Sequence, residues 1–269
     1  MQFTFSKLGP ILPRYFGNRA YKLWFTTHRF QRPAIEDTAA SNADRSSINI
    51  DGADVAVWCW GEGQPVLFIH GWSGRGTQVA YFLEHLIASG YRVISFDGPA
   101  HGESDGNQTS MLEIADVVLA LGAKYGPFHS TITHSFGGMV LGYASTLGFN
   151  TYSAVCICPP ATIHSILDNF QRSLQIPDSV LAVMTKKLYA SYGSDLEKRV
   201  STVKNVRTLS IPALIIHDEN DRDIPWKDGK AVADAWPDSQ FLLTRGLGHR
   251  RILRNPDTVI AVTEFIKNS

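Results

Sequence analysis

The fold of this chain is decided by the stretch TITHSFGGMV at residues 131–140. A short β-branched run leads to Ser135, and two glycines follow before a helical pattern begins. This order predicts a strand, a turn too tight for ordinary residues, and a helix. Such a turn exposes the serine side chain at the end of a sheet, and it directs backbone N–H groups of the new helix toward the same space. Ser135 is therefore a candidate nucleophile, and the alternative is a serine that only caps the helix.

Three further parts of the chain extend this pattern. Residues 65–74 (PVLFIHGWSG) form a buried-strand pattern that ends in His-Gly, and residues 91–104 (YRVISFDGPAHGES) form a strand that leads into a loop. Residues 211–225 (IPALIIHDENDRDIP) form a strand that leads into an acidic loop, and a last short strand at residues 240–244 precedes a loop that carries His249. The chain therefore presents a serine, an acid and a histidine, each after a strand.

These motifs resemble those of the α/β-hydrolase superfamily. The nucleophile elbow of that family reads G-x-S-x-G, and here Thr133 replaces the first glycine, so we expect slightly different packing at the turn. The resemblance implies a catalytic triad of Ser135, Asp221 and His249, which occur in the chain order used by this fold. The alternative is a merely solvated acidic loop and a surface histidine, but four motifs in the expected order favour the triad.

The resemblance also implies roles for residues around the triad. The backbone N–H groups of Trp72, which follows His-Gly, and of Phe136, which follows the serine, would form an oxyanion hole. Asp97 and His101 lie in a loop that resembles the family's D-x-x-G-x-G-x-S, which implies a scaffolding role. Asp218 stands where the family's H-G-x-x-D-x-x-V-P motif has a glycine.

The three residue types of the triad suit nucleophilic catalysis. A serine hydroxyl attacks effectively when a base removes its proton, and histidine is a suitable base because its ordinary pKa is near the working pH. A carboxylate bound to the far ring nitrogen fixes the tautomer and stabilises the imidazolium that forms. We therefore expect an enzyme that forms an acyl intermediate on its serine.

The expected reaction is the hydrolysis of a carboxylic ester with a small or medium acyl group. Haloalkane dehalogenases and epoxide hydrolases of the superfamily use an aspartate at the elbow, so Ser135 argues against both. Thioesterase, lactonase, carbon–carbon bond hydrolase and cofactor-free perhydrolase activities use the same triad and stay open. A non-enzymatic alternative is a catalytically silent binding protein, in which Thr133 marks a relaxed elbow.

Composition limits the classes of protein to consider. The 269 residues are 44% hydrophobic, which suits one α/β domain with a sizeable core. The formal net charge is zero, so nothing in the composition favours a nucleic-acid partner, and we expect none. The resemblance to the hydrolases implies a small-molecule substrate. The three cysteines give no disulfide framework, and we find no membrane-spanning stretch or signal peptide, so we expect a cytoplasmic protein. Histidines with ligand spacing and phosphate-binding or dinucleotide-binding patterns are lacking, so we expect no metal and no cofactor.

The N-terminal part of the chain, residues 1–47, is predicted to be a basic and aromatic segment followed by a linker. Residues 1–35 contain six basic residues, eight aromatic residues and no acid. Such a segment can contact an anionic membrane surface. We favour the alternative, in which its aromatic side chains pack on the protein's own domain. The polar residues 39–47 are expected to form the linker.

Residues 48–269 are predicted to form the hydrolase domain. Residues 48–58 alternate in polarity about an Asp-Gly pair, which predicts a hairpin. From residue 65 onward strands and helices alternate, which predicts an α/β fold with a mostly parallel central sheet and helices on both faces. The alternation lapses at about residues 160–209, and the resemblance implies a small helical cap there. One apolar stripe of this cap is expected to face the pocket or the core: Ile163, Ile166, Leu167, Phe170 and Leu174.

Overall fold

The computed structural model describes residues 2–269, and its centre is an eight-stranded sheet. The strands are β1 Asp44–Ile50, β2 Ala53–Trp60, β3 Gln64–Ile69, β4 Tyr91–Phe96, β5 Ser130–His134, β6 Ala154–Ile157, β7 Ala213–Asp218 and β8 Ser239–Thr244. Their order across the sheet is β1-β2-β4-β3-β5-β6-β7-β8. The pairs β1–β2 and β2–β4 are antiparallel, and the other neighbours are parallel. This topology confirms the predicted mostly parallel sheet.

Helices cover both faces of the sheet. They are α1 Gln2–Leu8, α2 Pro13–Trp24, α3 Ala34–Ser41, α4 Ala80–Ala88, α5 Met111–Tyr125, α6 Phe136–Thr146, α7 Ile163–Leu174, α8 Asp178–Tyr192, α9 Leu196–Arg199, α10 Thr202–Asn205, α11 Trp226–Ala235, α12 Gly248–Arg251 and α13 Pro256–Lys267. Across residues 2–269, none of them combines the length and the apolar composition that a bilayer crossing requires.

Side chains along each strand alternate between two cores, one on each face of the sheet. Leu67 and Ile69 of β3 belong to the core beneath α1, α2, α5, α6, α11 and the helices that follow β6. Val66 and Phe68 belong to the opposite core, beneath α3, α4 and α13. The helices therefore enclose the sheet on both faces, as the alternation of strands and helices predicts.

The first hairpin forms as the sequence predicts. β1 and β2 pair in antiparallel register, with Ile50 opposite Ala53. The turn residues Asp51 and Gly52 have φ values of 48° and 86°. Positive φ at both central residues is the geometry of the two-residue turns that match the twist of a hairpin, and aspartate followed by glycine tolerates it best.

The predicted linker at residues 39–47 is wrong. These residues form the end of α3 and the beginning of β1, which starts at Asp44. The polar side chains that suggested a linker suit an edge strand, because β1 has a hydrogen-bonded neighbour on one side only and a solvated face. Arg45 of this strand lies over the Trp58 ring of β2 and pairs with Glu103.

The N-terminal helices lie on the helices that follow β6. Phe16 and Ala20 of α2 are buried in the larger core. Gly17 lies directly against Val183 of α8, and a Cβ at this glycine would clash with that side chain. The close approach of α2 to α8 therefore depends on a residue without a side chain, and it joins the N-terminal segment to the rest of the domain.

The helical region between β6 and β7 occupies the interval in which the sequence predicts a cap. It comprises α7, α8, α9 and α10, followed by a 3-10 turn at Val206–Thr208. The chain enters this region from the C-terminal end of β6. Because β3, β5, β6, β7 and β8 are parallel, the loops that follow them lie at the same end of the sheet. The cap helices and the N-terminal helices therefore stand beside the candidate catalytic loops.

Candidate active site

Ser135 forms the tight turn between β5 and α6. Its φ of 53° and ψ of −121° lie in a region that residues with side chains rarely adopt, so the turn is strained. The Ser135 N–H donates a hydrogen bond to the carbonyl of Ile157 at 2.8 Å, which ties the turn to β6. A Cβ on Gly137 would clash with the carbonyl oxygen of Ile69 in β3. The surrounding backbone therefore forces the conformation that exposes the serine hydroxyl.

Thr133, which replaces the usual glycine of the elbow, packs against β6 and lies beside Gly138. The threonine is fully buried, and its hydroxyl donates to the carbonyl of Val155 at 3.3 Å. A Cβ on Gly138 would lie 3.4 Å from the Thr133 hydroxyl oxygen and 2.9 Å from the Cβ of Pro159. Gly138 is therefore needed for the close approach of Pro159, and the strained turn at Ser135 is retained although Thr133 carries a side chain.

The fold brings Ser135, His249 and Asp221 together. The Ser135 Oγ lies 2.8 Å from Nε2 of His249, and Oδ2 of Asp221 lies 2.6 Å from Nδ1 of the same ring. Because an ionised carboxylate only accepts hydrogen bonds, Nδ1 carries the proton and Nε2 accepts from the serine hydroxyl. The Asp221 side chain is fully buried, whereas the His249 side chain is 11% exposed. The histidine therefore stays accessible while its carboxylate partner is shielded from water.

Asp221 is held as a carboxylate by its neighbours. The backbone N–H groups of Asp223 and Ile224 donate to its Oδ1 at 2.8 and 2.9 Å, and Nε2 of His217 lies 3.3 Å from Oδ2. Burial raises the pKa of Asp221, but the hydrogen bonds from His217, His249 and the Ile224 N–H lower that pKa by more, to well below its usual range. The group is consequently ionised at neutral pH and can orient the histidine.

Asp218, at the position where the family motif has a glycine, fastens the loop that carries the histidine. The residue is fully buried. Its carboxylate accepts hydrogen bonds at 2.8 to 3.0 Å from the N–H groups of Asn220, Leu247 and Gly248 and from the Thr244 hydroxyl. Burial raises the pKa of Asp218, and these donors lower it by more. Two of the donors, Leu247 and Gly248, directly precede His249 in the chain, so this carboxylate fixes the position from which the imidazole projects.

Two further histidines border the site as neutral hydrogen-bonding groups. Nε2 of His134 donates to the carbonyl of His249 at 2.8 Å, which fastens the histidine loop from the other side. His70 donates from Nδ1 to the carbonyl of Gly71 at 2.7 Å and accepts at Nε2 from the Gly98 N–H at 2.9 Å. Burial lowers the pKa of His70 to about 4, and burial with the adjacent His249 lowers that of His134 to about 3.

The loop after β3 runs past the candidate nucleophile. A Cβ on Gly71 would lie 3.1 Å from the Cβ of Ser135, so this approach is too close for most residues. The rings of Trp72 and Phe136 meet edge to face, with centroids 5.2 Å apart. Among residues 2–269, the backbone N–H groups of these two residues have no hydrogen-bond acceptor. Both donors are therefore available to a group bound beside the serine.

Asp97 and His101 lie behind the site and connect its loops. The Asp97 carboxylate is fully buried, and it accepts from the Gly76 N–H at 2.6 Å and from the Glu103 N–H at 2.8 Å. It thus joins the loop after β3 to the loop after β4. Burial, and then the nearby His70, lowers the pKa of His101 to about 3. The positions of both residues fit a scaffold.

The triad opens onto a mainly apolar cavity of about 580 Å³. One part of its wall comes from the N-terminal segment, through Leu23, Trp24, Phe25 and Phe30, and another comes from α7, through Ile163, Ile166, Phe170 and Leu174. The rings of Trp24 and Phe170 meet edge to face at 5.3 Å. Four members of the predicted cap stripe face the cavity, and the fifth, Leu167, is buried in the core.

Sequence reasoning did not predict that the N-terminal segment contributes to this wall. The sequence feature that could have indicated the contribution is the run Leu-Trp-Phe at residues 23–25, at the end of a basic helix. That run is equally compatible with ordinary core packing. Its partner Phe170 lies far away in the chain, and no spacing rule connects the two positions.

One group of residues has the composition of a metal site. Across residues 2–269, Cys158, His217 and Asp221 offer donor atoms that lie within 4.8 Å of one another. Hydrogen bonds already account for this arrangement, because His217 contacts the carbonyl of Ile224 and Asp221 contacts His249. Burial raises the pKa of the Cys158 thiol, which opposes formation of the thiolate that binds metals. We therefore assign no metal to this group.

Comparison with known proteins places this geometry in a family. The model of the alpha/beta hydrolase family matches residues 66–262. A non-heme haloperoxidase of Rhodococcus erythropolis is 24% identical over 81% of this chain and 97% of its own. Non-heme chloroperoxidase CPO-A1 of Kitasatospora aureofaciens is 41% identical over 54 residues, which span only 20% of that protein. The structure of mouse alpha/beta hydrolase domain-containing protein 10 has a TM-score of 0.67 at 19% identity and covers 84% of this chain and 98% of its own. The chain belongs to the alpha/beta hydrolase family.

Proposed function

We propose that this protein is a serine hydrolase that cleaves carboxylic esters with a small or medium acyl group. The observation that carries the proposal is the 2.8 Å contact between Ser135 Oγ and His249 Nε2 beside an apolar cavity. A hydroxyl in contact with a histidine that is itself held by a buried carboxylate is the arrangement that activates a serine.

In this mechanism Ser135 attacks the ester carbonyl carbon while His249 accepts the serine proton. The Asp221 carboxylate stabilises the imidazolium, and the N–H groups of Trp72 and Phe136 donate to the carbonyl oxygen as it becomes an oxyanion. The intermediate collapses when His249 returns the proton to the leaving alcohol, which leaves the acyl group on the serine. Water, deprotonated by the same histidine, then releases the carboxylic acid and restores the serine.

The cavity supports an apolar acyl group as the selected part of the substrate. Its wall combines aromatic and aliphatic side chains from α7 and from the N-terminal segment, and its volume of about 580 Å³ lies in the usual range for small-molecule sites. Phe170 and Trp24 contact each other across this wall. The helical cap, in this proposal, selects the length of the acyl chain and excludes water from the acyl intermediate.

The proposal is tested by hydrolysis of p-nitrophenyl esters and acyl thioesters of increasing chain length. Ser135→Ala should fold normally and lower kcat by at least about 1000-fold. A fluorophosphonate probe should label the natural protein stoichiometrically at Ser135 and should not label this variant. Ser145→Ala, a change farther along the same helix, is the matched control and should retain labelling and turnover.

The same panel separates the other candidates that use this triad. Preference for thioesters would indicate a thioesterase, and activity confined to cyclic esters or to carbon–carbon bonds would indicate a lactonase or a carbon–carbon bond hydrolase. Folded protein that neither turns over any substrate nor reacts with the probe would contradict the enzyme and favour a silent binding protein.

A second candidate function is perhydrolysis, and the similarity to a non-heme haloperoxidase favours it. Hydrogen peroxide would replace water in the second half of the reaction, and attack on the acyl intermediate would release a peracid. The test is formation of peracetic acid from an acetate ester and hydrogen peroxide. Peracid formed faster than acetate would make perhydrolysis the main reaction.

We propose the cytoplasm as the compartment of this enzyme. Cys59, Cys156 and Cys158 are buried free thiols, and none of them forms a disulfide across residues 2–269. Buried thiols persist most readily where the redox environment is reducing.

A further inference from the structure

An exposed apolar surface lies on the first two helices and on the turn between them. Five of the twelve large hydrophobic side chains that are exposed among residues 2–269 fall within residues 3–15. We name this surface the N-terminal patch, and its members, which are between 46% and 74% exposed, are Phe3, Leu8, Ile11, Leu12 and Tyr15. A concentration of this kind on one short segment marks an interaction surface.

The patch is held rigidly by the opposite face of the same helices. Phe5 and Phe16 are buried, and their rings meet edge to face with centroids 5.6 Å apart. The Tyr21 hydroxyl donates to Ser191 at 2.9 Å, and the Lys187 ammonium donates to Asn18 at 3.0 Å, so α2 is attached to α8 by polar contacts as well. The segment thus packs on its own domain and presents a second apolar face outward.

Unpaired cations lie on the same two helices as the patch. The first 33 residues contain six of the chain's 25 basic residues, whereas all of its acidic residues follow later. Arg29 and Arg32 are used internally, because they bind loop carbonyls and Glu103. Four others are exposed and form no salt bridge with any of residues 2–269: Lys7, Arg14, Arg19 and Lys22.

A slot of about 460 Å³ opens between the two helices. Phe5, Leu8, Leu12 and Phe16 form its apolar walls, and Arg19 also lines it. An apolar slot that includes a cation suits a molecule with a hydrocarbon chain and an anionic head. The slot is separate from the catalytic cavity, which none of these residues lines.

We propose that the N-terminal patch docks on the surface of an anionic lipid bilayer. Apolar side chains that project among cations are the pattern of helices that lie in the interface of a membrane, where hydrocarbon takes up the apolar groups and phosphate or carboxylate heads neutralise the cations. A second copy of the chain fits less well, because a two-fold contact would set one group of four cations against another. The inference is independent of the proposed reaction, since binding to lipid needs no turnover.

The position of α2 connects this surface to the candidate active site. The helix begins at Pro13 beside the patch and ends at Trp24 in the cavity wall. Twelve helical residues span about 17 Å, so the patch and the cavity wall lie within the length of one helix. Docking would therefore place the cavity near the bilayer.

The test is co-sedimentation of the full chain with vesicles of phosphatidylcholine, with or without phosphatidylserine, at low and high salt. We expect binding to the vesicles that contain phosphatidylserine, little binding to phosphatidylcholine alone, and release as salt screens the charges. The double substitution Arg14→Gln with Arg19→Gln should lower partitioning about 25-fold, since each basic residue near an anionic surface contributes about fivefold.

Ile11→Ser with Leu12→Ser should abolish co-sedimentation with the vesicles, because the apolar contact with the bilayer is lost although all charges remain. The matched controls are Lys204→Gln with Arg207→Gln, which removes two exposed cations elsewhere, and Leu147→Ser with Ile260→Ser, which removes two exposed apolar side chains elsewhere. Both controls should bind like the natural protein. Melting temperatures of all variants, measured without lipid, should agree.

Three results would overturn the proposal. One is the absence of sedimentation at low salt, and another is binding that the two patch variants and the two controls affect equally. The third is a dimer in solution that Ile11→Ser with Leu12→Ser dissociates while vesicles bind nothing, which would assign the patch to a second copy of the chain.

Discussion

Two regions of the candidate active site differ in how they are held. The catalytic loops form a polar frame, in which buried carboxylates and histidines are fastened by short hydrogen bonds, as between Asp221 and His249 at 2.6 Å. The wall of the cavity is apolar, and side chains such as Trp24 and Phe170 meet there through ring contacts. Directional bonds in the frame specify atomic positions, whereas non-directional packing in the wall specifies shape and volume.

The difference predicts two kinds of sensitivity to mutation. Loss of one partner in the frame leaves buried polar groups unsatisfied and displaces reacting atoms, so the chemical step should suffer for every substrate. Loss of a side chain from the wall changes the room available to the acyl group, so the effect should depend on the substrate. Substitutions in the two regions should therefore differ in both the size and the substrate dependence of their effects.

Among the residues that hold the candidate nucleophile and base in place, the largest effect is expected at the Asp221 carboxylate. Asp221→Asn should lower kcat about 10,000-fold, because an asparagine cannot stabilise the imidazolium and favours the wrong tautomer. Asp223→Asn is the control, since that side chain is partly exposed and lies 3.8 Å from Arg250, and it should change kcat less than about twofold. Steady-state kinetics on one ester measures both. A greater loss of kcat from Asp223→Asn than from Asp221→Asn would show that Asp223 is the catalytic acid and that the assignment of Asp221 is wrong.

Mild acid should destabilise the frame as a whole. His70, His101 and His134 have pKa values lowered to about 4, 3 and 3, mainly by burial. An unfolded histidine has a pKa near 6.5, so below that pH the unfolded state binds protons that the folded state does not. The free energy of unfolding should therefore fall as pH falls from about 6.5, by up to about 1.4 kcal/mol per pH unit for each histidine, and it should be level in this respect above about pH 7.5.

Urea unfolding at pH 7.5, 6.5 and 5.5 measures this dependence. The window lies above the range in which the carboxylates titrate, so the buried histidines dominate the slope. His134→Gln should reduce the slope below pH 6.5 by about a third, because one of three equivalent sites is removed. A free energy of unfolding that does not change across this range would show that these histidines bind protons equally in the folded and the unfolded protein, which contradicts the lowered pKa values.

Asp218→Asn should separate positioning from binding. The asparagine has the same shape, but its NH₂ group cannot accept the hydrogen bonds that now hold the loop before His249. We expect kcat to fall on the order of 100-fold with KM nearly unchanged, because the imidazole is displaced while the cavity is not. Glu219→Gln, next to it in the chain and paired with the exposed Arg245, is the control. A rise in KM as large as the fall in kcat would show that Asp218→Asn also disturbs the cavity wall and with it the binding of the substrate.

The smallest effect is expected in the wall. Trp24→Ala should lower kcat/KM for long acyl esters about tenfold relative to the acetyl ester, whose hydrolysis should hardly change. Phe3→Ala removes an exposed aromatic ring from the same N-terminal segment, outside the cavity, and should alter neither. A uniform loss for all chain lengths after Trp24→Ala would mean that the wall supports the frame and does not select the substrate.

Much of the frame follows from local patterns. Ser135 sits in a turn whose strain and glycines are explained by neighbours within a few positions and by the adjoining strands. The predicted hairpin at Asp51-Gly52 and the predicted mostly parallel sheet are also confirmed. Turn-forming residues and the alternation of strands and helices can be recognised from short stretches of sequence. The wrong linker at residues 39–47 shows the limit of such windows, because a polar edge strand and a polar linker have the same composition.

The family, the sheet and the order of Ser135, Asp221 and His249 can be read from local sequence patterns, because backbone constraints on tight turns and strand ends admit few residue types. The division of the N-terminal aromatic side chains among a core, a cavity wall and an exposed patch is visible only in the folded protein. The same holds for the hydrogen bonds by which the Asp218 carboxylate holds a loop 29 and 30 residues farther along the chain. Packing and buried hydrogen bonds depend on distance in space, and separation along the chain does not reveal it.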